Sequence, residues 1–491
     1  MALTKLKHRM IGDAAAVITD FGATVGSADN TAAIQRAIDT GLDVHVPPGD
    51  WNLTGPVTLT TTGQILTGSG SDCRILSTST TADIIRVGNG TDEIRGVVIK
   101  DINVYATVAK TAGVAIRLRV AEQCALVNCG ISSAQDYAAT GAKLYDGITF
   151  EEGADCTIDA CSLWGFGRDA IRIYGGAVHN GEISIVGGTW ITYAQRYGVY
   201  CGGRFGGLRL LDGDISACWR NLCIDQLLTP TYPNREIFIG SSFSIDASSD
   251  ANIWVGSGGA STIEATGMWC ASAGRTTGVG PSETNKTGIQ IDPGNGSLTM
   301  RITGGKIYNC TGAGMTVNEG VIFLNDVLVT DNGGGAGLSD HGIWVVAGAG
   351  NEGPLQVTNC YFGSNGGYDL YVDGLQVYSR ITDNVFRGSG AGTYYSTTNV
   401  LSETNIVQRN IGYRTSNQGT GTILSGGTSV VVNHGLAAAP SNIQVTANNT
   451  VPEGRGLAVS TVGATQFTVL VSTATAADRD FYWSASVGVQ V

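Results

Sequence analysis

A chain of 491 residues with 71 glycines and only 14% charged residues is turn-rich and has little material for amphipathic helices. Its net charge of −12 argues against a nucleic-acid backbone as partner, since no cluster of lysines and arginines offsets it. Eleven cysteines, an odd number spread from Cys73 to Cys360 without CxxC or Cys/His ligand spacing, argue against a disulfide framework and a zinc site; they are expected to be reduced and buried.

The opening residues Met1 to His8 carry no apolar core of a leader peptide, and no run approaches the 18 apolar residues of a membrane span. A product made soluble in the cytoplasm, without membrane insertion, is expected. Asp29 to Ile38 reads as a short amphipathic helix with Asp29 or Asn30 as N-cap, placed to cover the open end of a stack of strands.

Between about residues 84 and 386 one pattern recurs: apolar-x-apolar, a glycine, then a second apolar-x-apolar. The first strand reads Ile116-Arg-Leu118, Ile148-Thr-Phe150, Ile171-Arg-Ile173, Val199-Tyr-Cys201, Leu222-Cys-Ile224 and Ile253-Trp-Val255, and continues to Leu370-Tyr-Val372. Such short strands bury a face only by stacking, about 4.8 Å apart, with the apolar pair inward and the middle residue outward. The second strand has inward residues seven apart, as in Ile183 to Trp190 and Leu208 to Ile215, with Asn/Asp/Gly turns between. Cys129, Cys161 and Cys360 fall at one point of the repeat and should share an interior column. After about residue 412 alternating strands such as Ser429 to Asn433 and Gln466 to Ser472 predict a small sandwich. The predicted class is all-β: an N-terminal segment with a capping helix (1–64), a parallel β-helix (65–412) and a C-terminal β-sandwich (413–491).

Asp20-Phe-Gly-Ala23, Asp29-Asn-Thr-Ala-Ala-Ile-Gln35 and Val44-His-Val-Pro-Pro-Gly-Asp50 resemble the opening of the pectate-lyase-like right-handed β-helices of bacteriophage tailspikes. The resemblance implies a homotrimer held partly by a C-terminal β domain, carried on a phage tail or baseplate. It also implies an endo-acting depolymerase that cuts a bacterial surface polysaccharide outside the cell. The chain departs from larger members in having almost no N-terminal domain.

Aligning repeats turns the sequence into columns. Outward middle residues run Arg117, Thr149, Arg172, Tyr200, Cys223, Trp254, Gln290, a line suited to stacking on sugars and pairing with carboxylates. The residues before each strand run Asp146, Asp169, Tyr197, Asn221 and Asn252, with a one-residue uncertainty in register. Asp146 and Asp169 are thereby expected on adjacent coils, where like charges split their pKa values into the acid and carboxylate of glycoside hydrolysis. Glu151 and Glu152 leave the same strand as Asp146, and Asp225 follows in the column of Glu151. The catalytic candidates are thus Asp146, Asp169, Glu151 and Glu152. The substrate-binding candidates are Arg117, Arg172, Tyr197, Tyr200, Asn221, Asp225 and Trp254. A plainer reading makes the aspartates turn residues bonded to their own backbone.

Long insertions at one turn, Ser132 to Tyr145 and Ala271 to Lys286, would wall a trough, with Gln226 to Arg235 closing the opposite edge. β-Elimination is the rival chemistry, with Lys143, Tyr145, Arg168, Arg172 and Tyr197 available as base or cation. No cofactor or metal is required; calcium would enter only for a lyase. His341 and His434 read as structural. A binding-only adhesin of a phage tail is the alternative function, and a secreted pectate lyase or epimerase a weaker one.

Overall fold

The computed structural model describes residues 15–133, 144–175, 181–203, 206–227, 236–256, 262–276, 279–281, 285–294, 298–334, 340–346, 354–373, 378–388, 405–448, 456–474 and 476–487. Among them, twelve parallel strands, one per coil, form one sheet running from Val57–Leu59 to Leu370–Val372. Of the remaining solenoid strands, Ile94–Arg95 and Ala121–Glu122 pair as a two-stranded sheet and the others form a 26-stranded ladder that bends within each coil. Cys156–Asp159, for example, leads through Ala160 at φ 53° into Ser162–Phe166. The whole is a right-handed parallel β-helix.

Alternation along each strand explains the core. Ile116, Ile148, Ile171, Val199, Leu222, Ile253 and Ile289 are at most 1% exposed, each contributing roughly 1.5–3 kcal/mol of apolar burial. All eleven cysteines are buried and free. The registers do put Cys129, Cys161 and Cys360 in one interior column.

The ladder begins earlier than residue 65. Ala16–Val17 pairs with Val44–His45, which pairs with Leu66 and Thr67. Strands of two residues are too short to carry the apolar-x-apolar pattern, which hid them. Asp29 accepts the Thr31 N–H and the Thr54 hydroxyl, both at 2.9 Å, fixing the start of the helix Thr31–Ile38, whose Ile34 and Ile38 join the solenoid core. Trp190, expected inward, faces out beside Asp214, while Ile191 takes the inward place level with Ile215. Two consecutive left-handed residues, Gly187 and Gly188, lengthen that turn by one position and shift the register.

Past the last solenoid strands, two three-stranded antiparallel sheets enclose a separate core around Phe467 and Phe481. Their first strand, Ser416–Ile423, carries glycines and polar residues in place of apolar alternation, and escaped the sequence pattern.

Interior corners are held by asparagine ladders. Asn384 is fully buried; its amide donates to Val357 O at 2.9 Å and Asn410 Oδ1 at 3.0 Å, and its Oδ1 accepts the Cys360 N–H at 2.9 Å. Asn384→Ala orphans these partners, and should cost about 2–4 kcal/mol at roughly 1–3 kcal/mol per unsatisfied group. Urea unfolding followed by circular dichroism measures it; a loss below about 1 kcal/mol would show the ladder to be dispensable.

Candidate substrate-binding face

The outward column of the twelve-stranded sheet is in the expected register: Arg117, Thr149, Arg172, Tyr200, Cys223, Trp254 and Gln290 are aligned one to one on successive coils. Its aromatic part is not a set of free platforms. Tyr197 and Tyr200 are 8% and 6% exposed, Cys223 is fully buried, and all three pack with Tyr174, Trp219 and Trp254. Tyr197 stacks on Tyr200 with ring centroids 5.3 Å apart and on Trp219 at 5.9 Å. Guanidinium groups interleave with the rings: Arg172 over Tyr174 at 5.0 Å, Arg196 over Tyr197 at 4.7 Å, Arg220 over Trp254 at 3.7 Å. Trp254 donates its Nε1–H to Asp292 at 2.9 Å. The carboxylate of half-buried Asp225 lies over Gly256, where a Cβ would come within 2.3 Å of Oδ1.

The second column holds Asp146, Asp169 and Tyr197 on successive coils, followed by Arg220 in place of Asn221. Asn221 points into the corner, fully buried, donating to Asp246 O at 2.6 Å and Asn252 Oδ1 at 3.0 Å; it is part of the scaffold. Asp146 and Asp169 are neighbours, the Asp169 N–H donating to Asp146 Oδ1 at 3.3 Å, yet they are only 2% and 0% exposed. Each is clasped by an arginine from the following coil. Arg168 binds Asp146 through Nε at 2.7 Å and through Nη2, and Arg196 binds Asp169 through Nε at 2.8 Å and Nη2 at 2.5 Å. The expected solvent-facing acid pair is therefore a pair of covered ion pairs. Burial is the largest influence on the Asp169 carboxyl and pushes its pKa above the ordinary carboxylate value, with Arg196 opposing it and Asp146 adding to it.

Glu151 binds Arg117 and, at 3.1 Å, Arg119, so it closes two arginines of the same face. Glu152 sits in the turn at φ 61°. Burial also raises the phenol pKa values of Tyr197 and Tyr200. His341, 2% exposed, packs in a three-ring cluster with Tyr368 and Tyr371, which also stack on each other, and accepts the Tyr368 N–H at 2.9 Å. Residues 134–143, 277–278, 282–284 and 228–235 lie outside the described ones, so Lys143 and most of the expected trough walls do too. The described part of the second wall has Gly280 packed against the Trp219 ring and its N–H near Gln195 Oε1 at 3.4 Å.

One carboxylate pair went unnoticed in the sequence. Asp214 and Asp246 stand on the outer side of the ladder, on adjacent coils in which Asp214 is level with Ser244 and Ser216 with Asp246. Asp214 accepts the Ser216 hydroxyl at 2.7 Å and the Ser244 hydroxyl. Asp246 Oδ1 is buried with no hydrogen-bond partner among the described residues, and burial raises this carboxyl's pKa, opposed by the Ser272 hydroxyl and the Ala247 N–H and with a smaller push upward from Asp214. Trp190 is level with Asp214, and Trp269, 38% exposed, is level with Ser244. Tyr308 meets Trp269 edge-on at 5.0 Å, and Lys306 lies 5.1 Å over the Trp269 ring. Strands ending at Ala194, Ser216 and Asp246 lead within a few residues to strands beginning at Tyr197, Arg220 and Ala251, so this pair and the arginine–aromatic face flank one corner. The signal was present as Trp190 and Asp214, but the Gly187-Gly188 shift misassigned Trp190. A further depression of about 260 Å³ on the ladder is lined by Glu182, Arg209, Leu211, Glu236, Phe238 and Glu264.

Removing one partner of a covered ion pair leaves an uncompensated charge, so Arg196→Gln should destabilise by roughly 3–5 kcal/mol at pH 7. Because the native Asp169 already binds its proton more tightly than the unfolded chain does, stability falls as pH rises from the ordinary carboxylate value through the raised one. In Arg196→Gln the raised value moves further up and the fall extends to higher pH, so the variant's deficit shrinks in acid. Urea midpoints at pH 4 and pH 7 measure this; equal deficits at both would contradict it.

No protein-family model matches the sequence, and no curated protein matches it. Solved structures do match. The tailspike protein of E. coli bacteriophage HK620, in complex with a hexasaccharide, aligns with a TM-score of 0.55 and 12% identity over 96% of this chain and 93% of that one. The tailspike gp61 of Pseudomonas phage phi297 aligns at 0.52 and 11% over 96% and 99%. An N-terminal fragment of gene product 12 of bacteriophage Phi29 aligns at 0.58 and 15% over 81% and 71%. The likeness extends over nearly the whole chain, which has the parallel β-helix fold of phage tailspike proteins.

Proposed function

We propose that this chain is a tailspike-type depolymerase, carried on a phage tail as a homotrimer attached to tail or baseplate proteins. Made in the host cytoplasm and acting outside the cell, it binds a bacterial surface polysaccharide and cuts internal glycosidic bonds. The observation that carries the reading is the outward pair Asp214 and Asp246 bracketed by Trp190 and Trp269. Glycoside hydrolysis needs one carboxyl that holds a proton and one that does not. Asp246 is the group that burial pushes toward holding one, and Asp214 accepts two hydroxyl hydrogen bonds. Indole faces beside the pair suit the apolar faces of sugar rings. Polysaccharide recognition extends around the corner onto Arg172, Tyr200, Trp254 and Asp225, while Asp146, Asp169, Glu151 and Arg117 hold that face in shape.

A binding-only adhesin is the second reading, favoured by the closure of Asp146 and Asp169 by Arg168 and Arg196. Purified protein decides between them on host exopolysaccharide, read as viscosity and new reducing ends. Cleavage by the wild type, with Asp246→Asn slower by about 10²- to 10⁴-fold and binding kept, is the expected result. Full cleavage by Asp246→Asn would remove the assignment of this pair, and binding without cleavage would leave the adhesin. Absorbance of an unsaturated uronate in the products would mark elimination in place of hydrolysis.

A further inference from the structure

On the outer face of the twelve-stranded sheet, among the described residues, arginines meet carboxylates with one exception. Arg86 pairs with Asp83, Arg117 with Asp83 and Glu151, Arg119 with Glu151, Arg168 with Asp146, Arg196 with Asp169 and Arg220 with Asp250. Arg172 has no ion pair among the described residues, although the chain carries 41 acidic residues against 29 basic ones. Its Nε is buried with no hydrogen-bond partner, and so is Oγ1 of Thr149, the next residue in the same column. Tyr174 and Tyr200 flank the guanidinium at 5.0 and 5.6 Å from their ring centroids, and Arg172 itself is half-buried. Desolvated donors without acceptors are unfavourable in the free protein and become favourable when an acceptor arrives.

We infer that Arg172 and Thr149 form a subsite for a carboxylate, and that the polysaccharide is therefore acidic, with a uronic or other carboxylated sugar in its repeat. The inference rests on the polysaccharide-binding reading of this face and narrows it. The planar guanidinium takes both carboxylate oxygens, Thr149 supplies a hydroxyl donor, and the sugar ring carrying the acid lies against half-buried Tyr174. Placing the anion at this guanidinium also overcomes the repulsion expected from a chain of net charge −12, because the contact is local and partly desolvated.

The test uses the full chain on an array of purified bacterial capsular and secreted polysaccharides, acidic and neutral. Each captured polysaccharide is measured again after its carboxyl groups have been reduced to alcohols with carbodiimide and borohydride. Capture of acidic polysaccharides, with wild-type binding weakened roughly 10- to 100-fold by reduction, is expected. Arg172→Gln should bind the native polymer about as weakly as the wild type binds the reduced one, and lose little more on reduction. Should that variant fail to fold, the reduction arm on the wild type decides alone. Capture of neutral polysaccharides, or wild-type binding unchanged by reduction, overturns the acidic assignment and leaves the binding function standing. Capture of no polysaccharide overturns the binding function itself, and this subsite with it.

Discussion

Parallel stacking in constant register is the constraint on which everything else in this molecule depends. Each coil meets its neighbours through main-chain hydrogen bonds repeated at about 4.8 Å, so a residue's column is set once the register is set. Ile148 above Ile171 and Thr149 above Arg172 are two consequences of one pairing. A solenoid of this kind has no central contact that could compensate for a slipped strand, because every coil touches only the ones before and after it. The interior asparagines guard the register from inside, and left-handed corner residues such as Asp326, Asn359 and Asp383 turn the chain on the outside.

Charge is handled by the same geometry. Aspartates at strand entries would face one another from adjacent coils, and the arginine one position earlier on the following coil reaches back to cover each of them. Asp146 with Arg168 and Asp169 with Arg196 repeat a single arrangement displaced by one coil. Arginine guanidinium groups held this way lie over tyrosine and tryptophan rings, and the result is a face ordered by its own contacts. Rigid, pre-ordered contact surfaces lose less conformational freedom on binding. A flat glycan benefits from such a surface more than from flexible side chains of equal number.

The solenoid was legible because apolar alternation and a recurring turn repeat many times, so single errors do not propagate. Where the repeat was short of apolar residues, as at Ala16–Val17 and Ser416–Ile423, it was invisible. Column membership on the outer face was read correctly from Arg117 to Gln290, since the inward isoleucines fix it. Burial was not legible: nothing in the order Asp146, Arg168, Asp169, Arg196 says that an arginine folds back over the aspartate of the coil before. Asn221 was lost to a one-residue uncertainty that only Arg220 opposite Tyr197 resolves. Trp190, which flanks Asp214, was lost to an extra glycine, because in a strand one added residue exchanges the inside for the outside.

The long turns that interrupt the corner precede the strands Asp146–Glu151 and Thr287–Ile291. Between those two strands the twelve-stranded sheet contains four others, so the two strands stand five spacings apart, about 24 Å. That gap changes only by whole coils. A lineage needing to hold a longer or shorter glycan segment has no continuous adjustment open to it, and duplication or loss of a coil resets the opening by a fixed step while leaving every remaining column intact. On the proposed function, receptor range in such a scaffold is counted, like teeth on a rack, and side-chain replacement within a column tunes which sugar would sit at each step.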